Sequence, residues 1–245
     1  MFTTFTLFIF ALAVVTSGQA GRPGRYQSRC YARANSTILD YTVTDIYNRQ
    51  TTKVSDLAQG APTLVVNVAT YCRLTLHYLE LNQLLEENQN LNVLAFPCDQ
   101  FGHQEPGVNG TEILNGLRYV RPGNGFVPHP RIHMLSRGDV NGQKEAPLYT
   151  YLKSSCPPPT LAKFKSRESF WDPIKPSDVS WNFEKFLVSA SGLPLYRFLP
   201  NVEPSRFQPI ISALSEPNQE PASQTEKLKS LLNALDDSIE RDQSA

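Results

Sequence analysis

The sequence has no surplus of either charge. Lys plus Arg and Asp plus Glu each number 23 in 245 residues, so the formal net charge is zero. The broad basic surface that would bind nucleic acid or an anionic membrane is therefore excluded. Cysteine is scarce, with only Cys30, Cys72, Cys98 and Cys156, and no Cys-x-x-Cys pair occurs among them. That is too few for a disulfide scaffold, and the spacing suits neither zinc nor a dithiol centre. Phosphate-cradling glycine loops, zinc signatures and Ser-His-Asp words are absent. His129 and His133 stand at helical spacing, but Pro128 and Pro130 deny them a helix, so no metal site is expected. Beyond the N-terminus no stretch is apolar enough to span a bilayer. Proline, in contrast, is plentiful at 19 and concentrates after Pro97, which argues for fixed loops and against long uninterrupted helices there.

What is present begins with a targeting segment. The short apolar run Leu7 to Val15 is followed by small residues up to Ala20, the pattern of a secretory signal peptide over residues 1–20. An uncleaved anchor helix is the alternative, and the run falls short of the ~20 apolar residues that a span requires. Two sequons, at Asn35 and Asn109, fit glycosylation of an exported, extracellular chain. In an oxidising compartment a disulfide between Cys30 and Cys156 is expected, because both lie in loop-like segments outside the core strands.

Residues 21–37 read as a basic, irregular N-terminal segment. Ile38 to Val54 alternate around Asn48-Arg49-Gln50, as a β-hairpin would. Thr63 to Ala69 is apolar and β-branched at nearly every position, the mark of a strand buried on both faces. Leu74, Tyr78, Leu81, Leu84 and Leu85 then recur at helical spacing, and Leu91 to Phe96 forms a second buried strand. The order β, α, β indicates an α/β domain with a central mixed sheet flanked by helices. Later segments predict a short helix over Thr111 to Tyr119, a strand over Arg131 to Met134 and a helical turn over Pro147 to Lys153. A long ordered loop follows from Pro157 to Ser180, then strands over Asn182 to Val188 and Leu193 to Phe198, and a helix from Ser205 to Leu214. Residues 215–245 read as a flexible or weakly helical extension, and His77 and His103 as surface or loop groups.

Cys72 falls between the first buried strand and the helix. There first-turn N–H groups and the helix dipole would stabilise a thiolate and lower its pKa. A buried inert thiol is the equally plain alternative on this feature alone. The surrounding words favour the first. Asn67-Val68-Ala69-Thr70-Tyr71-Cys72-Arg73-Leu74-Thr75, then Phe96-Pro97-Cys98-Asp99-Gln100-Phe101-Gly102 with Gln104-Glu105-Pro106, then Trp181-Asn182-Phe183-Glu184-Lys185-Phe186-Leu187 together resemble the glutathione peroxidases over residues 38–214. The resemblance implies a thioredoxin-like fold, a peroxidatic Cys72, and Gln100, Trp181 and Asn182 completing a tetrad. These three are neutral hydrogen-bond donors suited to holding a thiolate and steadying charge on a leaving oxygen. Departures from the family pattern stand at Arg73, Asp99 and His77; Arg73 would either lower the Cys72 pKa further or crowd the peroxide entrance.

The resulting expectation is a secreted thiol peroxidase that reduces hydrogen peroxide and organic hydroperoxides through a Cys72 sulfenic acid. Glutathione would be its co-substrate, and no cofactor is needed. No Cys occurs in Thr111 to Tyr119, where thioredoxin-reduced relatives carry a resolving Cys, so glutathione is expected to act directly on Cys72. Arg121 and Arg197 are candidates to hold its carboxylates. A thioredoxin-dependent peroxidase, and a non-catalytic interaction protein on the same fold, are the alternatives. The Tyr119-Val120-Arg121-Pro122-Gly123 word and the loop to Pro130 resemble the insert of tetrameric family members, which implies a homotetramer.

Overall fold

The computed structural model describes residues 25–31, 36–215 and 221–244. The leader at 1–20 and the sequon residue Asn35 lie outside the described residues. In chain order, β1 (Gln27–Arg29) precedes a small antiparallel hairpin of β2 (Thr42–Thr44) and β3 (Thr51–Lys53), which leads into the short α1 (Val54–Ala58). Asn48, inside the expected turn, takes φ 56°, a left-handed value that Asn tolerates well.

The centre of the fold is β4 (Thr63–Val68) beside β5 (Asn92–Pro97), two strands buried at every position. They pair in parallel from Thr63↔Asn92 to Val68↔Pro97. A parallel pair cannot be closed by a tight turn, and the crossover here is α2 (His77–Glu87). β6 (Ile132–Met134) adds in parallel beyond β5, while β7 (Lys185–Val188) and β8 (Pro194–Phe198) run antiparallel on the other side. With β1 along β8, the six-stranded order is β1-β8-β7-β4-β5-β6. This mixed sheet with helices on both faces is a thioredoxin-like α/β fold.

Strand alternation divides the interior into two clusters. Leu64, Val66 and Val68 join Tyr78, Leu81 and Leu85 of α2 and Ile210 and Ile211 of α5 (Gln208–Ser215). Val65, Leu94, Phe186 and Val188 join Leu148, Tyr149 and Leu152 of α4 (Pro147–Ser155). The predicted helix over Thr111 to Tyr119 is α3 (Gly110–Asn115) continued by a π-turn over Gly116–Val120. Gly116 is needed there because a Cβ would lie 2.8 Å from Thr70 Cγ2.

Two expectations about the periphery require correction. The N-terminal segment contributes β1, an edge strand whose three residues are too short to show a period. The C-terminal extension is a docked helix, α6 (Pro221–Ser244), of 24 residues. Its Leu228, Leu232, Leu235 and Ile239 are buried in the first cluster, and Asp236 accepts from the Arg25 and Tyr26 backbone N–H groups at 2.9 and 3.1 Å. Long helices are thus not excluded after Pro97: the last proline, Pro221, sits at the helix start, where a missing N–H costs nothing. The expected disulfide between Cys30 and Cys156 is present, and both cysteines are buried. The bond ties the end of β1 to the end of α4, next to the Tyr31 N–H to Ser155 carbonyl bond of 2.6 Å.

Candidate active site

Cys72 sits where β4 leaves the sheet. It caps the 3-10 turn Arg73–Leu76 that feeds α2, and its sulfur accepts from the Leu74 N–H at 3.4 Å. Thr75 fastens the turn, since its hydroxyl donates toward the carbonyls of Ala69, Thr70 and Cys72 at 2.7 to 2.9 Å. The other two sequence words are drawn here by specific bonds. Asn67, buried within β4, donates its amide to the Trp181 carbonyl at 3.0 Å and accepts from the Glu184 N–H at 3.1 Å. Its own carbonyl accepts from the Phe183 N–H at 2.6 Å. Glu105 receives the Thr70 N–H and hydroxyl at 2.8 Å each, and the Tyr71 N–H donates to the Gln104 carbonyl at 2.9 Å. Burial pushes Glu105 up to about 7, against the opposing pull of those Thr70 bonds.

Trp181 packs against the core cluster that holds Cys72, and the Trp181 and Asn182 side chains favour its thiolate, acting against burial. Gln100 does not take part, which corrects its assignment to the tetrad. Its Oε1 accepts from the Val140 and Asn141 N–H groups at 3.0 Å each, and its Nε2 donates to the Asn141 carbonyl at 2.9 Å. The amide is consumed in holding that turn. Gln104 is the residue the sequence reasoning missed: the Asn182 amide donates to its Oε1 at 3.0 Å. Gly102 and His103, both left-handed at φ 65° and 51°, reverse the chain between the two glutamines and aim Gln104 back toward Trp181 and Asn182. That Gly-His reversal is the only local signal that could have separated them.

The thiol itself is 1% exposed, and burial raises its pKa above the ordinary value of 9.0. The Leu74 hydrogen bond, the Trp181 and Asn182 side chains and the Arg121 charge pull the other way without reversing the shift. The expected net lowering by the helix end is therefore outweighed by desolvation. The cation acting on the sulfur is Arg121, whose Nη2 donates to the Arg73 carbonyl at 3.3 Å, while the Arg73 side chain points into solvent.

Arg197 cannot hold a glutathione carboxylate, which corrects that expectation. It is fully buried, pairs with Glu184, and donates to the carbonyls of Cys156, Ser177 and Asp178 at 3.1, 2.9 and 2.7 Å. His77 is likewise not a surface group. It is buried beside Phe183, and its Nδ1 lies 3.2 Å from Lys185 Nζ, which also donates to the Pro200 and Val202 carbonyls. Desolvation and the Lys185 charge lower His77 to about 2, so it is a neutral acceptor for Lys185. His103 is exposed as expected, stacked on Phe170 and 3.0 Å from Asp99. Cys98 is a packed thiol, driven up to about 12 by burial. Asn109 is exposed and caps α3 through Oδ1, which leaves its amide nitrogen outside the cap.

Comparison with known proteins agrees with this architecture. A glutathione peroxidase family model matches residues 38–153. The epididymal secretory glutathione peroxidase of Mus musculus is 44% identical over 194 residues, covering 78% of this chain and 86% of that protein. Glutathione peroxidase 6 of Mus musculus is 45% identical over 197 residues, covering 79% and 85%, and the cuticular glutathione peroxidase of Brugia malayi is 44% identical over 186 residues, covering 74% and 81%. With that identity spread over most of both chains, this chain belongs to the glutathione peroxidase family of enzymes.

Proposed function

We propose that the protein is a secreted, glutathione-dependent peroxidase that works through Cys72. The observation that carries this reading is the seat of Cys72 at the head of the turn into α2, where its sulfur accepts from the Leu74 N–H and Trp181, Asn182 and Arg121 favour its thiolate. The sulfur attacks the terminal peroxide oxygen, so an S–O bond forms as the O–O bond breaks. The leaving oxygen takes a proton and departs as water or an alcohol, and the sulfur loses two electrons. Trp181, Asn182 and Gln104 are neutral donors placed to steady the charge that moves onto oxygen. One glutathione thiol then condenses with the sulfenic acid, releasing water, and a second regenerates Cys72 and leaves as glutathione disulfide.

A thioredoxin-type internal disulfide has less support. Cys72 and Cys98 are the free cysteines among the described residues, and Cys98 is buried at the end of β5 with a strongly raised pKa. Export is supported by the apolar leader and by the secretory relatives, and Asn35 and Asn109 are the proposed glycan sites. Among the described residues no helix is long and apolar enough to cross a membrane. A homotetramer is supported by the exposure of Tyr119, Val120 and Val127 on the insert; light scattering that returns one protomer mass would exclude it.

The test of the reading is peroxide consumption with glutathione by the wild type and Cys72→Ser. The variant should be inactive, and one equivalent of peroxide followed by glutathione should leave a glutathione adduct on Cys72. An internal disulfide in its place would overturn the glutathione assignment.

A further inference from the structure

With Arg197 locked in the core, a dicarboxylate thiol calls for a cation besides Arg121, and one stands at Trp181. Lys165 Nζ lies 4.1 Å from the centroid of the Trp181 ring, the same indole that packs against the core cluster holding Cys72. Its side chain is 61% exposed, so its charge faces solvent above the site.

The position of Lys165 is built into the fold. The Gly102 N–H donates to the Glu168 carbonyl at 2.8 Å, Phe101 bridges to Ser169, and the Phe170 N–H donates to the Gln100 carbonyl at 2.9 Å. The segment is thereby fastened to the loop that carries Gln104. The Lys165 carbonyl closes the adjoining 3-10 turn by accepting from the Glu168 N–H at 2.8 Å and the Ser169 hydroxyl at 3.0 Å. A cation held against an indole face keeps free donors for an anion on its other side. Among the described residues its acidic partner is Glu168 at 3.5 Å, an exposed i,i+3 pair that a ligand carboxylate can displace at little cost.

We propose that Lys165 recognises a carboxylate of the small anionic thiol that reduces oxidised Cys72, in addition to Arg121. This rests on the peroxidase reading above and names the group that selects its co-substrate. Lys165 acts on binding of the thiol and does not touch the reacting sulfur.

Two measurements test it. S-methylglutathione, which cannot react, is titrated into the reduced protein while the Trp181 indole N–H resonance is followed. Affinity should fall about threefold in Lys165→Gln and roughly tenfold in Lys165→Glu, as removal and then reversal of one exposed charge predict. In steady state, the ratio of kcat/KM for glutathione to that for uncharged 2-mercaptoethanol should fall by a similar factor in Lys165→Glu. Equal affinity in wild type and Lys165→Glu, or no binding to the wild type, overturns the proposal. A parallel loss with both thiols also overturns it and leaves Lys165 as a prop for Trp181. A loss confined to anionic lipid hydroperoxides, with S-methylglutathione affinity intact, would refute it by moving the residue to the peroxide side. A wild type that binds S-methylglutathione but consumes no peroxide would defeat the peroxidase reading instead, and the titration would still decide the role of Lys165.

Discussion

Replacing Arg197 distinguishes a structural guanidinium from a substrate-binding one. In Arg197→Met the Glu184 carboxylate stays buried with only its Ser180 bonds, at 2.8 Å from the N–H and 2.6 Å from the hydroxyl. The carbonyls of Cys156, Ser177 and Asp178 lose a charged donor at the same time. Breaking one side of a buried ion pair costs about 3–5 kcal/mol, because the remaining charge has no water to turn to. With a urea m-value of about 2–3 kcal/mol/M for a domain of this size, the midpoint should fall by roughly 1–2 M. The double variant Arg197→Met, Glu184→Gln should recover part of that loss, since it removes the orphaned charge along with its partner. The assay is urea unfolding followed by far-UV circular dichroism, with the KM for glutathione measured on the folded fraction. A midpoint shift below about 0.3 M together with a several-fold rise in that KM would refute the structural assignment and return Arg197 to the substrate site.

Three further outcomes are expected. Gln104→Ala should slow the reaction of Cys72 with peroxide by about 10-fold or more by removing a donor network next to the sulfur, whereas Gln100→Ala should lower stability by about 1–3 kcal/mol through the orphaned Val140 and Asn141 N–H groups; stopped-flow oxidation and thermal melts separate the two. Cys30 and Cys156 close a loop with a sequence separation of 126, so Cys30→Ala, Cys156→Ala should lose about 2–5 kcal/mol in chemical denaturation, and no loss would show that the bond adds nothing. Because burial raises the Cys72 pKa above 9.0, the thiolate fraction grows with rising pH, so the alkylation rate of Cys72 by iodoacetamide should still be climbing at pH 9, with Arg121→Gln moving the profile to higher pH; a plateau below pH 8 would contradict the desolvation argument.

The sequence by itself determined the layout of the centre and the place of Cys72 within it. Two apolar runs of strand length read as strands covered on both faces, and a leucine stripe at helical spacing between them fits a parallel crossover, which is what β4, α2 and β5 form. The three words around Cys72, Gln104 and Trp181 were legible because each is contiguous. What only the tertiary structure decided depends on chain reversals and on pairings far apart in sequence. Two left-handed residues turn Gln104 rather than Gln100 toward Asn182, and Asn67 of β4 holds the Trp181 segment beside the end of its own strand. Arg197 and Lys165 are both cations near motif residues, and no local pattern says that one is sealed beneath Glu184 while the other stands over Trp181. The same holds for β1 and α6, which fold where they do because each finds its partner surface at the opposite end of the chain: β1 pairs with β8, and α6 rests on α5 and the backbone at Arg25 and Tyr26. A net effect such as the raised Cys72 pKa is also tertiary, since desolvation depends on how many layers cover the sulfur and not on the residue that precedes it.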